Sequence, residues 1–151
     1  MANNIRYEIN TASEKEIYSH LVKCDGDFVP SLSKTVNIEK YSKKLFAKAI
    51  RFEAWSGKVL VGCVAAYIND KINHLAYITN VSVIREYMGQ GIASGLLLRC
   101  IEYVKENKFC KILLEVNKHN SLAISLYKKF NFRQYDTEDD SLKMMVTLDN
   151  I

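Results

Sequence analysis

The stretch from Val81 to Leu96 constrains the fold more than any other. Val81, Val83 and Ile84 suit the buried end of a β-strand. Gly89 and Gly91 mark a turn that needs unusual dihedrals or close backbone approach. Beyond them Ile92, Leu96, Leu97, Cys100, Ile101 and Val104 recur at helical spacing. The segment therefore reads as strand, glycine turn, helix. The first N–H groups of such a helix lack intrahelical partners, and the dipole places positive charge there. A helix opened by glycines is thus suited to an anion such as a phosphate.

The rest of the chain supplies strands and helices around this unit. Residues 4–9 alternate apolar and polar and predict a first strand. Thr11 and Ser13 each precede a glutamate by three positions, so a capping box starts a helix there. Ile17 and Leu21, with Tyr18 and Val22 as further candidates, form its buried face. Gly26 and Pro30 predict a loop over residues 23–33. Asn37 caps a second helix carrying Ile38, Tyr41, Leu45 and Ala49. Ile50–Trp55 and Lys58–Ile68 read as paired strands across Ser56-Gly57. The second is apolar on both faces and belongs in the sheet centre. After a turn at Asn69-Asp70-Lys71, a strand runs from about Asn73 to Ile84, and the main helix continues to about Asn107. Lys111–Asn117 is the next strand. Leu122, Ala123, Leu126, Tyr127 and Phe130 line one face of the next helix. Phe132–Tyr135 and Leu142–Leu148 close the chain as a hairpin around the acidic Asp136–Asp140. Strands before, between and after helices give an α/β or α+β sandwich, a mixed sheet with helices on both faces.

Composition narrows the class. The 151 residues suit a single domain, 1–151, with one substantial core. The net charge of +4 is too small to argue for nucleic acid, and basic residues do not cluster with aromatics. The longest apolar run, Val59 to Ile68, is too short to span a bilayer, and Arg6 and Glu8 interrupt any leader-like start. Cys24, Cys63, Cys100 and Cys110 match no zinc spacing, so no metal is expected and a reducing cytoplasm suits them. His74 and His119 lack ligand-like neighbours and read as turn residues. Ser31 and Ser33 have no G-x-S-x-G setting. Nine tyrosines leave room for a partner interface, and a homodimer is compatible with them.

Two segments carry a family resemblance. Met88-Gly89-Gln90-Gly91-Ile92-Ala93 resembles the pattern [QR]-x-x-G-x-[GA], with Met88 in place of Gln or Arg. Asn120 to Phe132 resembles N-x-x-A-x-x-L-Y-x-K-x-G-F at Asn120, Ala123, Leu126, Tyr127, Lys129 and Phe132. Asn131 replaces the glycine, and Asn is the next-best residue for a left-handed helix end. In this order the two motifs resemble the GNAT superfamily of acyl-CoA-dependent N-acetyltransferases, over residues 75–136. The resemblance implies a mostly antiparallel central sheet whose fourth and fifth strands splay apart, here residues 73–84 and 111–117.

It also implies roles. Acetyl-CoA would lie along Val81, Ser82 and Val83, with its pyrophosphate on Met88, Gly89, Gln90, Gly91, Ile92, Ala93 and Ser94 and its arm on Asn120. Asn120 equally suits a helix N-cap. Tyr127 matches the residue that protonates the departing sulfur; it equally suits a core aromatic. Tyr77 lies near where histone-type members carry a glutamate base, so that base is missing. Glu115, twelve residues before Tyr127, resembles the base of ribosomal-protein N-terminal acetyltransferases; otherwise it is a solvated strand glutamate. Phe28 and Ser31, in the loop that covers the acceptor in such proteins, and Tyr77 are the expected acceptor contacts. The loop could as well be a simple connector. The implied activity is acetyl transfer to the amine of a small molecule, amino sugar or protein N-terminus, within a ternary complex. A CoA-binding module without catalysis, a sensor or assembly subunit, is the alternative. Residues 24–36 and 69–73 would select the acceptor.

Overall fold

The computed structural model describes residues 4–148; the outermost residues of the expected 1–151 domain lie outside this range. Seven strands form one sheet in the order β1-β2-β3-β4-β5-β7-β6. They are β1 (Ile5–Ile9), β2 (Ile50–Ser56), β3 (Val59–Asp70), β4 (Leu75–Val83), β5 (Lys111–Asn117), β6 (Arg133–Glu138) and β7 (Ser141–Thr147). The helices are α1 (Glu14–Cys24), α2 (Ile38–Lys48), α3 (Ile92–Glu106) and α4 (Ser121–Lys129). Only β4 and β5 pair in parallel; every other pairing is antiparallel. Among the described residues no helix is long and apolar enough to cross a membrane.

Two apolar layers sandwich the sheet. Leu96, Leu97, Cys100 and Val104 of α3 and Tyr127 of α4 pack with Phe52, Val64, Ile78, Ile112 and Leu114 on one face. Ile17 and Leu21 of α1 and Leu45 of α2 pack with Trp55, Leu60, Cys63 and Ala65 on the other. Strand β3 is buried continuously from Leu60 to Ala66, as its unbroken apolar run predicts. Gly62 lets α3 approach: a Cβ there would stand 2.9 Å from Ile92 Cγ2 and 3.1 Å from Leu96 Cδ1.

A buried ion pair ties α1 and α2 to this frame. Arg51 and Glu53 sit 3.3 Å apart with side chains 4% and 0% exposed. Glu53 also accepts from the Thr11 hydroxyl at 2.6 Å and from the Thr11 and Ala12 N–H groups. Arg51 donates to the carbonyls of Ala12, Leu45, Phe46 and Ala49, closing the start of α1 and the end of α2. Thr11 is thereby occupied, and Ser13 with Glu16 forms the capping box.

Several expectations need correction. Tyr18 and Val22 are 42% and 46% exposed; beside Ile17 and Leu21, the buried positions of α1 are His20 and Cys24. Leu122 is 85% exposed, because it opens α4 beside a cleft rather than over the sheet. The closing hairpin turns at Asp139-Asp140, so Asp136 and Glu138 are strand residues on an edge exposed along its whole length. Charge and full hydration there suit an unprotected edge. The 23–33 loop is shorter than expected, since α1 runs to Cys24 and two 3-10 turns follow.

Replacing Glu53 by Ala leaves the Arg51 cation buried without a counter-charge. Glu53→Ala is expected to lower unfolding free energy by about 3–5 kcal/mol, read from urea denaturation; a loss under 1 kcal/mol would mean that the carbonyls alone satisfy Arg51.

Candidate active site

The site begins where β4 and β5 part. Their parallel pairing runs from Leu75↔Lys111 to Ile78↔Leu114 and stops, although β4 continues to Val83 and β5 to Asn117. At the same point β4 bulges: Ala65 and Ala66 of β3 face Asn80 and Ile78, leaving Thr79 as the extra residue. The Tyr41 hydroxyl of α2 meets Thr79, 2.9 Å from its carbonyl and 2.8 Å from its Oγ1. The bulge turns Asn80 and Ser82 inward toward α1.

A histidine buttresses this strand. His20 is 2% exposed, with Nδ1 3.0 Å from the Leu60 carbonyl and Nε2 2.8 Å from Ser82 Oγ. The carbonyl can only accept, so Nδ1 carries the proton. Burial pushes the imidazole pKa down to about 4, so Nε2 is an acceptor at neutral pH. Ser82 has one hydroxyl proton, for which His20 Nε2 and Asn80 Oδ1, also 2.8 Å away, compete. His20 is not among the residues that the sequence singles out. Its signal was a polar residue one turn before Cys24 and three after Ile17, on the buried stripe of α1.

Two cavities occupy the gap. The larger, about 360 Å³, brings together Val81, Ser82, Val83, Met88, Gly89, Gly91, Ile92, Ala93, Ser94 and Asn120, joined by Cys24, Asp27, Phe28, Tyr87, Leu122, Ala123 and Leu126. Gln90 is absent from the lining and points to solvent. Gly91 holds φ at +80° and caps α3 without a side-chain acceptor. The opening N–H groups of a 15-residue helix therefore face the cavity unclaimed. That donor set, with no Cβ at positions 89 and 91, fits a pyrophosphate.

The smaller cavity, about 170 Å³, continues past Val81 and Asn120 to Thr79, Asn80, Leu114, Glu115, Asn117 and Tyr127, with Phe28 shared by both. Glu115 is exposed; it accepts from Ser141 Oγ at 2.9 Å, and Tyr77 Oη lies 3.5 Å from its other oxygen. Burial, with Glu115 adding to it, pushes the Tyr77 phenol up to about 12. Tyr127 is 6% exposed and tilts against Phe132, rings 5.9 Å apart. Burial raises its pKa, so its phenol stays protonated. Its hydroxyl makes no hydrogen bond among the described residues. Asn120 both caps α4, accepting from Ala123 N at 3.2 Å, and lines both cavities. Asn131 takes the left-handed end of α4 at φ +71°. Ser31 and Tyr77 line neither cavity; the loop turns Ser31 away after Val29, and Tyr77 borders the site only through Glu115.

Residues 15–132 match the Acetyltransferase (GNAT) family. This chain belongs to that family. Among curated relatives, streptothricin acetyltransferase A of Bacillus subtilis is 35% identical over 65 residues, 43% of this chain. The match spans only 38% of that relative's length. The same fold recurs in PaiA N-acetyltransferase from Thermoplasma acidophilum in complex with coenzyme A. That structure has a TM-score of 0.75 at 19% identity, covering 95% of this chain and 99% of the other. A chain of the NatC complex bound to Gag peptide and CoA aligns with a TM-score of 0.74 at 22% identity, covering 96% and 99%. The overall fold of this GNAT chain is thus shared with both structures, whereas the His20–Ser82–Asn80 string is read from its own residues.

His20 makes stability depend on acid. Its folded pKa lies below the ordinary 6.5, so the unfolded chain takes up the proton first as pH falls. The neutral-form advantage is intact above about pH 6.5 and is lost toward about pH 4. The loss amounts to roughly 3 kcal/mol. Urea midpoints measured across that interval should fall steeply for the wild type and more gently for His20→Gln; parallel slopes would remove His20 as the cause.

Proposed function

We propose that this protein is an acetyl-CoA-dependent N-acetyltransferase acting on a primary amine by direct transfer. One observation carries the reading: a single gap between β4 and β5 has free helix N–H groups at one end and a carboxylate with a neutral phenol at the other. Acetyl-CoA, when bound, supplies an activated acetyl thioester. The N–H groups from Ile92 to Ser94 hold the pyrophosphate, aided by the positive end of α3. Beyond Ile78 the backbone edge of β4 has lost its partner strand and can pair with the amide-bearing pantetheine arm. Val81, Val83 and Asn120 flank that path.

At the other end the acceptor needs a base, because an alkyl ammonium has a pKa near ~10. Glu115 is placed to take that proton directly or through one water. Ser141 and Tyr77 hold its two oxygens, which aims the carboxylate without burying it. The departing thiolate needs an acid. Tyr127, protonated and free of competing acceptors, donates that proton. The acceptor approaches over Phe28 and Tyr77, on the sheet face that α1 and α2 leave open beyond β4. Relatives named for a small molecule and for peptide substrates leave both acceptor classes open to trial. The buried thiols of Cys24, Cys63 and Cys100, which form no disulfide, suit a reducing compartment, which we take to be the cytoplasm.

A panel of amines assayed for free-thiol release tests the activity. Tight CoA binding by calorimetry with no thiol release across the panel would favour a binding module instead. Within an active enzyme, Tyr127→Phe should lower kcat at least ~10-fold, the conservative side of general-acid effects, and spare acetyl-CoA affinity. A wild-type kcat with chemistry rate-limiting would make Tyr127 a packing residue. Glu115→Gln should lower kcat/KM by about 10²-fold below the acceptor pKa, with the deficit shrinking at high pH where the free amine needs no base. A deficit independent of pH would assign Glu115 to binding.

A further inference from the structure

The larger cavity carries a charge problem. Among the described residues that line it there is no lysine or arginine, and its one charged residue is an acid, Asp27. A pyrophosphate seated on α3 would therefore meet a carboxylate and only the partial charge of a helix end. Met88, at the lip beside Gly89, adds no charge.

Asp27 is not alone. Arg85 Nε lies 3.0 Å from Asp27 Oδ1, and Arg85 Nη2 contacts the same oxygen. The Asp27 side chain is 15% exposed and that of Arg85 76%, so the guanidinium reaches in from solvent. Arg85 opens the 3-10 turn Arg85–Tyr87, between the end of β4 and the glycine turn. It stands on the segment that must face the pyrophosphate. Asp27 stands on the opposite wall, in the loop after α1. That loop is folded on itself by Asp25, which accepts from Ser33 N at 2.7 Å. Among the described residues, the Arg85 pair is the one ion pair from residues 25–31 to the body of the protein.

We propose that Arg85 is a phosphate-binding residue held in reserve by Asp27, and that it exchanges this carboxylate for the pyrophosphate of the incoming cofactor. The inference rests on the acetyl-CoA reading above and adds a residue and a loop movement to it. A planar guanidinium donates to carboxylate and to phosphate through the same N–H groups, so one anion can replace the other. The exposed pair is weak and easily broken. A pyrophosphate carries more charge than one carboxylate and is backed by the end of α3. Releasing Asp27 unfastens residues 25–31, including Phe28 and Val29, which border the smaller cavity. Cofactor entry thus loosens the wall past which the acceptor comes.

The two partners have opposite predicted effects, which a purely structural ion pair cannot give. Calorimetry at low ionic strength with CoA, and thiol-release KM with S-acetylpantetheine, which lacks phosphates, separate the cases. Arg85→Gln should weaken CoA binding ~10-fold, as expected for losing a charge-assisted contact. Its deficit should shrink with added salt, and its KM for S-acetylpantetheine should stay near wild type. Asp27→Asn should tighten CoA binding ~3-fold or more, because it frees the arginine and removes a repelling charge. If both variants weaken CoA binding alike, the pair is only a latch and the proposal falls. Unchanged CoA affinity in a folded Arg85→Gln variant overturns it as well, while leaving the cofactor assignment standing. A wild type that binds no CoA would instead overturn the cofactor reading, and this proposal with it.

Discussion

The parting of β4 from β5 after Ile78 is the constraint on which the rest of the site depends. Two adjacent parallel strands normally satisfy each other's backbone groups along their length. Here the edge of β4 beyond Ile78 has lost that partner. Unpaired groups of this kind are costly unless something supplies their hydrogen bonds. The protein keeps them available by fixing β4 from its other side. Pairing with β3 continues to Val83, and α1 and α2 add polar contacts from above. The Tyr41–Thr79 and His20–Ser82–Asn80 contacts both land on or just after the bulge, where the strand leaves its neighbour.

These contacts explain why α1 and α2 are more than packing. Their placement depends on the Arg51–Glu53 pair, which satisfies groups at the start of one and the end of the other. A buried ion pair is weak evidence for net stability, since desolvation offsets its attraction. Its contribution here is geometric. It fixes two helices to β2, and those helices carry the groups that hold β4. Gly62 plays the matching part on the opposite face, by letting Ile92 and Leu96 seat the N-terminal turn of α3 close to the sheet.

The cavity follows from this frame with little further invention. One end is the start of a helix, and the other is the widening gap between two strands. Charge is the exception. The lining is apolar and short of cations, and its single acid is neutralised from outside by Arg85. The donors facing this lining are therefore chiefly the backbone N–H groups at the start of α3.

Local sequence decided much of this. The strand–glycine–helix unit, the continuous burial of β3, the bounds of β5 and the Asn37, Asn120 and Asn131 helix ends follow from periodicity and from what single residues can do with their own backbone. Most of the expected lining residues are in place because they lie in two short segments whose local structure is strong. Long-range juxtaposition was not legible. Nothing local to Glu115 says that Ser141 and Tyr77 meet it, nothing at Asp27 points to Arg85, and His20 reads as one polar residue among several on α1. Tyr18, Val22 and Leu122 misled for the same reason. Helical period gives an apolar face, but which side of it meets the sheet is set by the neighbouring element. The sequence by itself determined the elements and the glycine-opened start of α3; only the tertiary structure decided which distant polar groups meet, because that depends on strand register and helix docking rather than on neighbours in the chain.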